Sequence, residues 1–216
     1  VLEKIIQYER VHKIKDMNEL KRRLGEDRRF FSYFHPALDD EPIIFVQVAL
    51  TNGLGKSIQE IMKPTTGNEK KYDTATFYSI SNCQEGLTRV TLGNFLIKRV
   101  VYEIQEELPN IKNFGTLSPI PGFRDWFTTL DEGVIQNILG KIPYSTVSFL
   151  RSSSLKVGDG RIVSNKKAII KLVAHYLMNE KNKKDLPIND VCRFHLGNGA
   201  IIEDIVINAN VSEVGF

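Results

Sequence analysis

The chain has 216 residues and a formal charge of +3, from 29 Lys and Arg against 26 Asp and Glu. Its 42% hydrophobic and 25% charged residues match a globular protein and exclude disordered, collagen-like and low-complexity classes. The positive excess is too slight to imply a nucleic-acid partner, and no apolar run approaches the roughly 20 residues of a membrane span. Two cysteines, Cys83 and Cys192, do not make a disulfide framework, so a reducing compartment is expected.

Residues 1–25 read as helical: VLEKIIQYERV places apolar residues at helical spacing, Asp16 and Glu19 form a capping box ahead of ELKRRL, and Gly25 stops the helix. Strands are expected at FFSYF (30–34) and PIIFVQVAL (42–50), joined by the turn ALDDEP. TNGLG (51–55) breaks the pattern, SIQEIM (57–62) reads as a short helix and PTTGNEKKYD (64–73) as a polar connection. TATFYSIS (74–81) is a strand and NCQEGLTRVTLG (82–93) a loop. NFLIKRVVYEIQEEL (94–108) is a helix with an apolar stripe of Phe95, Leu96, Val100, Val101, Ile104 and Leu108. After Pro109, NFGTLS (113–118) reads as a strand and PIPGF as an extended exit. Residues 124–180 are mainly helical, interrupted by IPYS and VGDGR. VCRFHL (191–196), an NGA turn and IIEDIVIN (201–208) read as a hairpin. With no repeat and no domain boundary, the pattern predicts one α+β domain with a mixed sheet.

Three features carry possible chemistry. In the unit 74–108 a loop delivers a helix N-terminus, where free N–H groups and the helix dipole favour an anion such as phosphate. Gly86 and Gly93 flank LTRVTL, with Arg89 and Lys98 as charge partners, but neither a P-loop nor GxGxxG is present, and an ordinary turn fits the same residues. Ser118 stands at a strand end before Pro119, which suits a site or plain turn chemistry. His195, between Phe194 and Leu196, suits an acid–base residue or a hydrogen-bonded structural one. His12, His35 and His175 show no ligand spacing, so no metal site is expected. The run EKNKK (180–184) reads as a solvated helix end, and Trp126 with Phe123 and Phe127 as core.

Taken together, LKRRLG (20–25), FHPAL (34–38), EPIIFVQVALT (41–51), FYSISNCQEGL (77–87), LGNFLIKRVV (92–101), TLSPIPGF (116–123) and RFHLGNGA (193–200) resemble the catalytic region of the malonyl-CoA decarboxylase family. The segments keep the family's order across most of the chain, TLSPIPGF and FHLGNGA being the most specific and 124–165 the poorest match.

The resemblance implies a GNAT-like acetyltransferase fold, a splayed mixed sheet flanked by helices that grips acyl-CoA. The family's CoA-contacting loop corresponds to Thr88, Arg89, Val90, Thr91, Leu92, Gly93 and Asn94, and its catalytic pair to Ser118 and His195. Arg89 stands where the family usually has Gly, and Thr91 where some members have Glu. Measured against the family, residues 1–216 are expected to be a catalytic domain truncated at both ends. A helical oligomerisation domain would precede Val1, and a strand with a tyrosine would follow Phe216. The implied activity is conversion of malonyl-CoA to acetyl-CoA and CO2 in fatty-acid metabolism, with no cofactor because CoA belongs to the substrate. His195 would protonate C2, while Ser118 anchors the carboxylate or accepts a proton. The implied partners are malonyl-CoA and acetyl-CoA, with a homo-oligomer or a larger assembly, and the expected location is mitochondrial, with peroxisome and cytosol as alternatives. An acyltransferase on the same fold and a silent CoA-binding subunit are the rival readings.

Overall fold

In the computed structural model, strands β1 (Arg28–Phe34), β2 (Pro42–Thr51), β3 (Thr74–Asn82) and β4 (Asn113–Thr116) form a sheet in the order β1-β2-β3-β4. β1–β2 and β2–β3 pair antiparallel and β3–β4 parallel, so the sheet is mixed as expected. The structure describes residues 2–63, 72–87, 92–140, 144–151 and 160–212. Of the expected polar connection 64–73, residues 64–71 lie outside that set. The chain divides into two compact units, residues 1–118 and 119–216, where the sequence shows no boundary in composition.

Within the first unit, helices α1 (Leu2–Tyr8), α2 (Met17–Arg23), α3 (Ile58–Met62) and α4 (Leu92–Glu107) accompany the sheet. A parallel pair needs a crossover, which α4 supplies between β3 and β4. β2 is central and buried along all but its last residue, which is why it reads as a nearly continuous apolar run. One face of β2 and β3, with Ile44, Val46, Val48, Leu50, Ala75 and Phe77, packs against Leu96, Val100 and Ile104 of α4. Burying one such side chain contributes about 2 kcal/mol. Phe95 departs from the expected stripe: it is 60% exposed, because one residue along a helix rotates the side chain by about 100° away from the Leu96–Val100–Ile104 line. On the other face Phe45 packs with Ile5, Ile14 and Leu20, and Ala49 and Tyr78 with Ile58 and Ile61.

The N-cap forms as expected, Asp16 Oδ1 accepting from Glu19 N–H at 2.9 Å, but the Glu19 side chain reaches Lys15 N–H, at 3.1 Å, one residue before the cap. The first helix stops earlier than its periodicity suggested. The Glu9 carboxylate turns back to accept from the N–H groups of Val11 and His12, both at 2.8 Å, and ends α1 at Tyr8.

β3 carries a bulge. Gln47 lies opposite Ser79 and Val48 opposite Phe77, leaving Tyr78 as the extra residue. The bulge resets the alternation, so Phe77 and Ile80 both pack on the α4 side while Tyr78 joins the opposite cluster. β4 pairs only with Thr74–Phe77, and one further bond runs from Leu117 N–H to Phe77 O at 2.8 Å. Beyond that point, among the described residues, no strand flanks 78–82 on this side. β4 ends at Thr116 while β3 runs on to Asn82.

The second unit is helical: α5 (Phe123–Thr129), α6 (Glu132–Leu139), α7 (Tyr144–Arg151), α8 (Gly160–Ser164), α9 (Lys166–Met178) and α10 (Asp190–Gly197). Phe127, Ile135, Val147 and Leu172 form one core and Val173, Tyr176, Leu177 and Cys192 another. The hairpin expected over 191–208 is not formed. Residues 191–196 belong to α10, and the described part of 201–212 contains no strand. The Asn189 side chain caps the helix by accepting from Cys192 N–H at 2.8 Å. The Asn-Gly pair expected to turn a hairpin instead ends it: Asn198 and Gly199 N–H bond to the carbonyls of His195 and Leu196, with Gly199 at φ +86°. An Asn-Gly signal serves either ending, and the N-cap three residues upstream of Cys192 decides for the helix.

Candidate functional site

Ser118 lies two residues past the end of β4. That strand meets the turn 51–55: a Cβ on Gly115 would lie 2.2 Å from Leu54 Cδ2, so a larger residue there would displace the Leu54 side chain. That turn is tied to the start of β3: Gly53 N–H donates to Asp73 Oδ1 at 2.8 Å and Gly55 N–H to Thr76 Oγ1 at 3.1 Å. The Thr74 hydroxyl and the Gly53 N–H hold the Asp73 carboxyl below its ordinary range. The half-buried Ser118 therefore stands just beyond the last bond between β4 and β3.

Of the loop residues, Leu92, Gly93 and Asn94 form the first turn of α4, which contains no acidic residue, and Gly93 is buried. Asn94 Oδ1 is buried with no hydrogen-bond partner, a polar atom that costs free energy unless something donates to it. Thr88, Arg89, Val90 and Thr91 lie outside the described residues. The helix N-terminus thus retains the anion-favouring polarity that the sequence suggested.

His195 lies in the last turn of α10, in the second unit, rather than on a strand. Its carbonyl accepts from Asn198 N–H at 3.0 Å and Ala200 N–H at 3.1 Å, and its ring meets Phe194 edge-on at 5.1 Å. Burial lowers the imidazole pKa below 6.5. The negative end of the α10 dipole acts in the opposite sense, favouring imidazolium by about 0.3–1 kcal/mol. Ser118 closes the first unit and His195 belongs to the second.

The sequence reading missed a buried polar network on the sheet face opposite α4. Glu9, 4% exposed, accepts from Ser79 Oγ at 2.7 and 2.9 Å and from Gln47 Nε2. The Tyr78 hydroxyl donates to Gln47 Oε1 at 3.0 Å. Burial pushes the Tyr78 pKa up to about 12. The His12 ring lies 6.3 Å from that of Tyr78, and burial, then Arg23, pushes its pKa down to about 4. The available signal was Gln47, a lone amide inside PIIFVQVAL, because a polar side chain in a buried strand requires partners. Elsewhere, a groove of 480 Å³ between β1 and α4, lined by Phe31, Tyr33, Phe95 and Arg99 among others, includes none of the expected site residues. Among the described residues no cluster of three His, Cys, Asp or Glu is arranged for a metal ion, and no helix is long and apolar enough to cross a membrane.

Comparison with known proteins places these features in context. The family model described as "Malonyl-CoA decarboxylase C-terminal domain" matches residues 1–216. The protein "Malonyl-CoA decarboxylase, mitochondrial" of Anser anser anser is 39% identical over 222 residues, covering 93% of this chain and 44% of that protein. Its namesake in Mus musculus is 37% identical over 224 residues, covering 94% and 45%. The crystal structure of malonyl-CoA decarboxylase from Cupriavidus metallidurans superposes with a TM-score of 0.80 at 38% identity, over 99% of this chain and 54% of that one. That from Agrobacterium vitis gives a TM-score of 0.80 at 38% identity, over 92% and 50%. The chain thus spans about half the length of these relatives.

Proposed function

The chain belongs to the malonyl-CoA decarboxylase family, and from that premise we propose that it is the catalytic domain of an enzyme that converts malonyl-CoA to acetyl-CoA and CO2. The observation that carries this reading is that β4 ends just before Ser118 while β3 runs on to Asn82. An extended acyl-pantetheine chain can lie along the edge of β3 at 78–82, which no strand covers among the described residues, and the first turn of α4 provides N–H groups and Asn94 Oδ1, unpartnered among those residues, at the nucleotide end. Thr88, Arg89, Val90, Thr91, Leu92, Gly93 and Asn94 then form the CoA loop.

The chemistry needs few residues. The bond between C2 and the carboxylate carbon breaks, its electron pair passes into the thioester as an enolate, and CO2 leaves. Donors aimed at the enolate oxygen lower the barrier, and His195 delivers one proton to C2 to give acetyl-CoA. The thioester is itself the electron sink, so the proposal requires no cofactor. Ser118 anchors the malonyl carboxylate or takes a proton.

The depressed pKa of His195 suits the order of events. The carboxylate of the bound substrate favours imidazolium. As CO2 departs, the negative charge passes to the enolate, and C2 becomes basic beside the imidazolium that protonates it. His195→Ala and Ser118→Ala should each lower kcat at least about a hundredfold, with CoA binding retained; decarboxylation at the wild-type rate in either variant overturns the assignment.

The role in fatty-acid metabolism and a mitochondrial location belong to the same proposal. The location is supported by the names of the goose and mouse relatives and is tested by imaging the native protein. Assembly as a homo-oligomer is tested by sedimentation of that protein.

A further inference from the structure

Every polar contact of the buried Glu9 carboxylate is made as an acceptor. Val11 N–H, His12 N–H and the hydroxyls of Ser79 and, at 3.4 Å, Ser81 reach Oε1, while Gln47 Nε2 and Ser79 reach Oε2. Gln47, 0% exposed, must therefore donate to Glu9 and present its carbonyl to the Tyr78 hydroxyl. Tyr78 is the bulge residue of β3, and it belongs to the cluster with Ala49, Ile58 and Ile61 against which Leu117 packs. Leu117 in turn holds the last bond of the β3–β4 ladder, to Phe77 O, and the next residue is Ser118.

We propose that Glu9, acting through Gln47 and Tyr78, is a positioning residue for Ser118: the hydrogen-bond chain fixes the bulge and the strand end on which that hydroxyl stands. The inference rests on the decarboxylase reading of Ser118. A carboxylate can only accept, so the direction of every bond in the chain is set from Glu9 outward. Glu9→Gln preserves volume and shape but reverses that direction. Its NH2 cannot face the fixed N–H groups of Val11 and His12, so it takes the place of Oε2 and forces Gln47 to flip. The flipped amide then presents NH2 to Tyr78, whose hydroxyl proton loses its acceptor. The Gln47–Tyr78 bond then runs in reverse with the hydroxyl proton left over, which weakens the hold on Tyr78 and the cluster that Leu117 packs on, while the rest of the sheet keeps its bonds.

The test uses Glu9→Gln and Tyr78→Phe in the intact protein, with three readouts: amide exchange at Leu117, kcat and KM for malonyl-CoA, and coupling to Ser118→Ala. The expected result is exchange at Leu117 about tenfold faster or more, with β1–β2 amides unchanged. kcat should fall about ten- to a hundredfold with KM within about threefold, since sub-ångström misplacement of a reacting group carries penalties of that size. In a Ser118→Ala background neither variant should lower residual turnover further. Unchanged Leu117 exchange in both variants overturns the proposal. So does a loss that multiplies with Ser118→Ala, or one matched by uniformly faster exchange over the whole sheet. If the wild-type protein releases no CO2, the decarboxylase reading fails on its own, and Leu117 exchange still decides whether Glu9 sets the strand end.

Discussion

Replacing His12 with Gln should flatten the acid limb of the stability profile. Burial and the Arg23 guanidinium hold the imidazole pKa near 4 instead of 6.5, and Tyr78 is the other titratable group beside the ring. Its Nε2 is buried with no hydrogen-bond partner, so protonation would place an unpaired charge there. At pH 7 both folded and unfolded states carry a neutral ring and the group contributes no pH dependence. Below 6.5 the unfolded chain takes up a proton that the folded ring refuses until about pH 4. Stability is therefore lost progressively as pH falls through that window, and the loss levels off below it. A difference of about 2.5 pH units at about 1.4 kcal/mol each gives about 3.5 kcal/mol, and the ring's residual solvent contact reduces this to about 2–3 kcal/mol. Urea unfolding followed by far-UV circular dichroism, at half-unit steps from pH 7 to pH 4, measures the difference between wild type and His12→Gln. The two curves should converge by about 2–3 kcal/mol on descending to pH 4; curves that remain parallel refute the reasoning.

Other perturbations test other parts of the molecule. Ile104→Ala, at a position with 0% exposure under the sheet, should cost about 2–5 kcal/mol in urea unfolding. Asn189→Ala removes the cap of α10 and the donor to Pro121 O at 2.7 Å. It should cost about 1–2 kcal/mol and speed exchange of the α10 amides, including that of His195. Cys83, 4% exposed and with its thiol pushed up to about 12 by burial, should react with a thiol reagent at neutral pH only on unfolding; rapid native labelling contradicts this.

The strands were legible because β2 is buried on both faces and reads as an unbroken apolar run, while β3 is bounded by Asp73 and the polar loop after Asn82. The bulge was not, because TATFYSIS alternates acceptably with or without it; only the demand of Glu9 for Ser79 and Ser81 and of Gln47 for Tyr78 selects the shifted register. His195 was found through its flanking residues but assigned to the wrong element, since VCRFHL has β-compatible residues and its cap, Asn189, lies outside the motif. The position of Ser118 just past a strand end was legible from the Ser-Pro exit, whereas its proposed role comes from the family resemblance. The residues that hold its strand in place come from Glu9, Gln47 and Tyr78, sequence separations that no local pattern connects.

The proposed activity is tested most directly by incubating the intact protein with malonyl-CoA and no acyl acceptor, while measuring CO2 and acetyl-CoA together. One CO2 for each acetyl-CoA formed, with both abolished in His195→Ala, is the predicted result. Malonyl-CoA bound but unchanged, or consumed only when an acceptor is added, contradicts it.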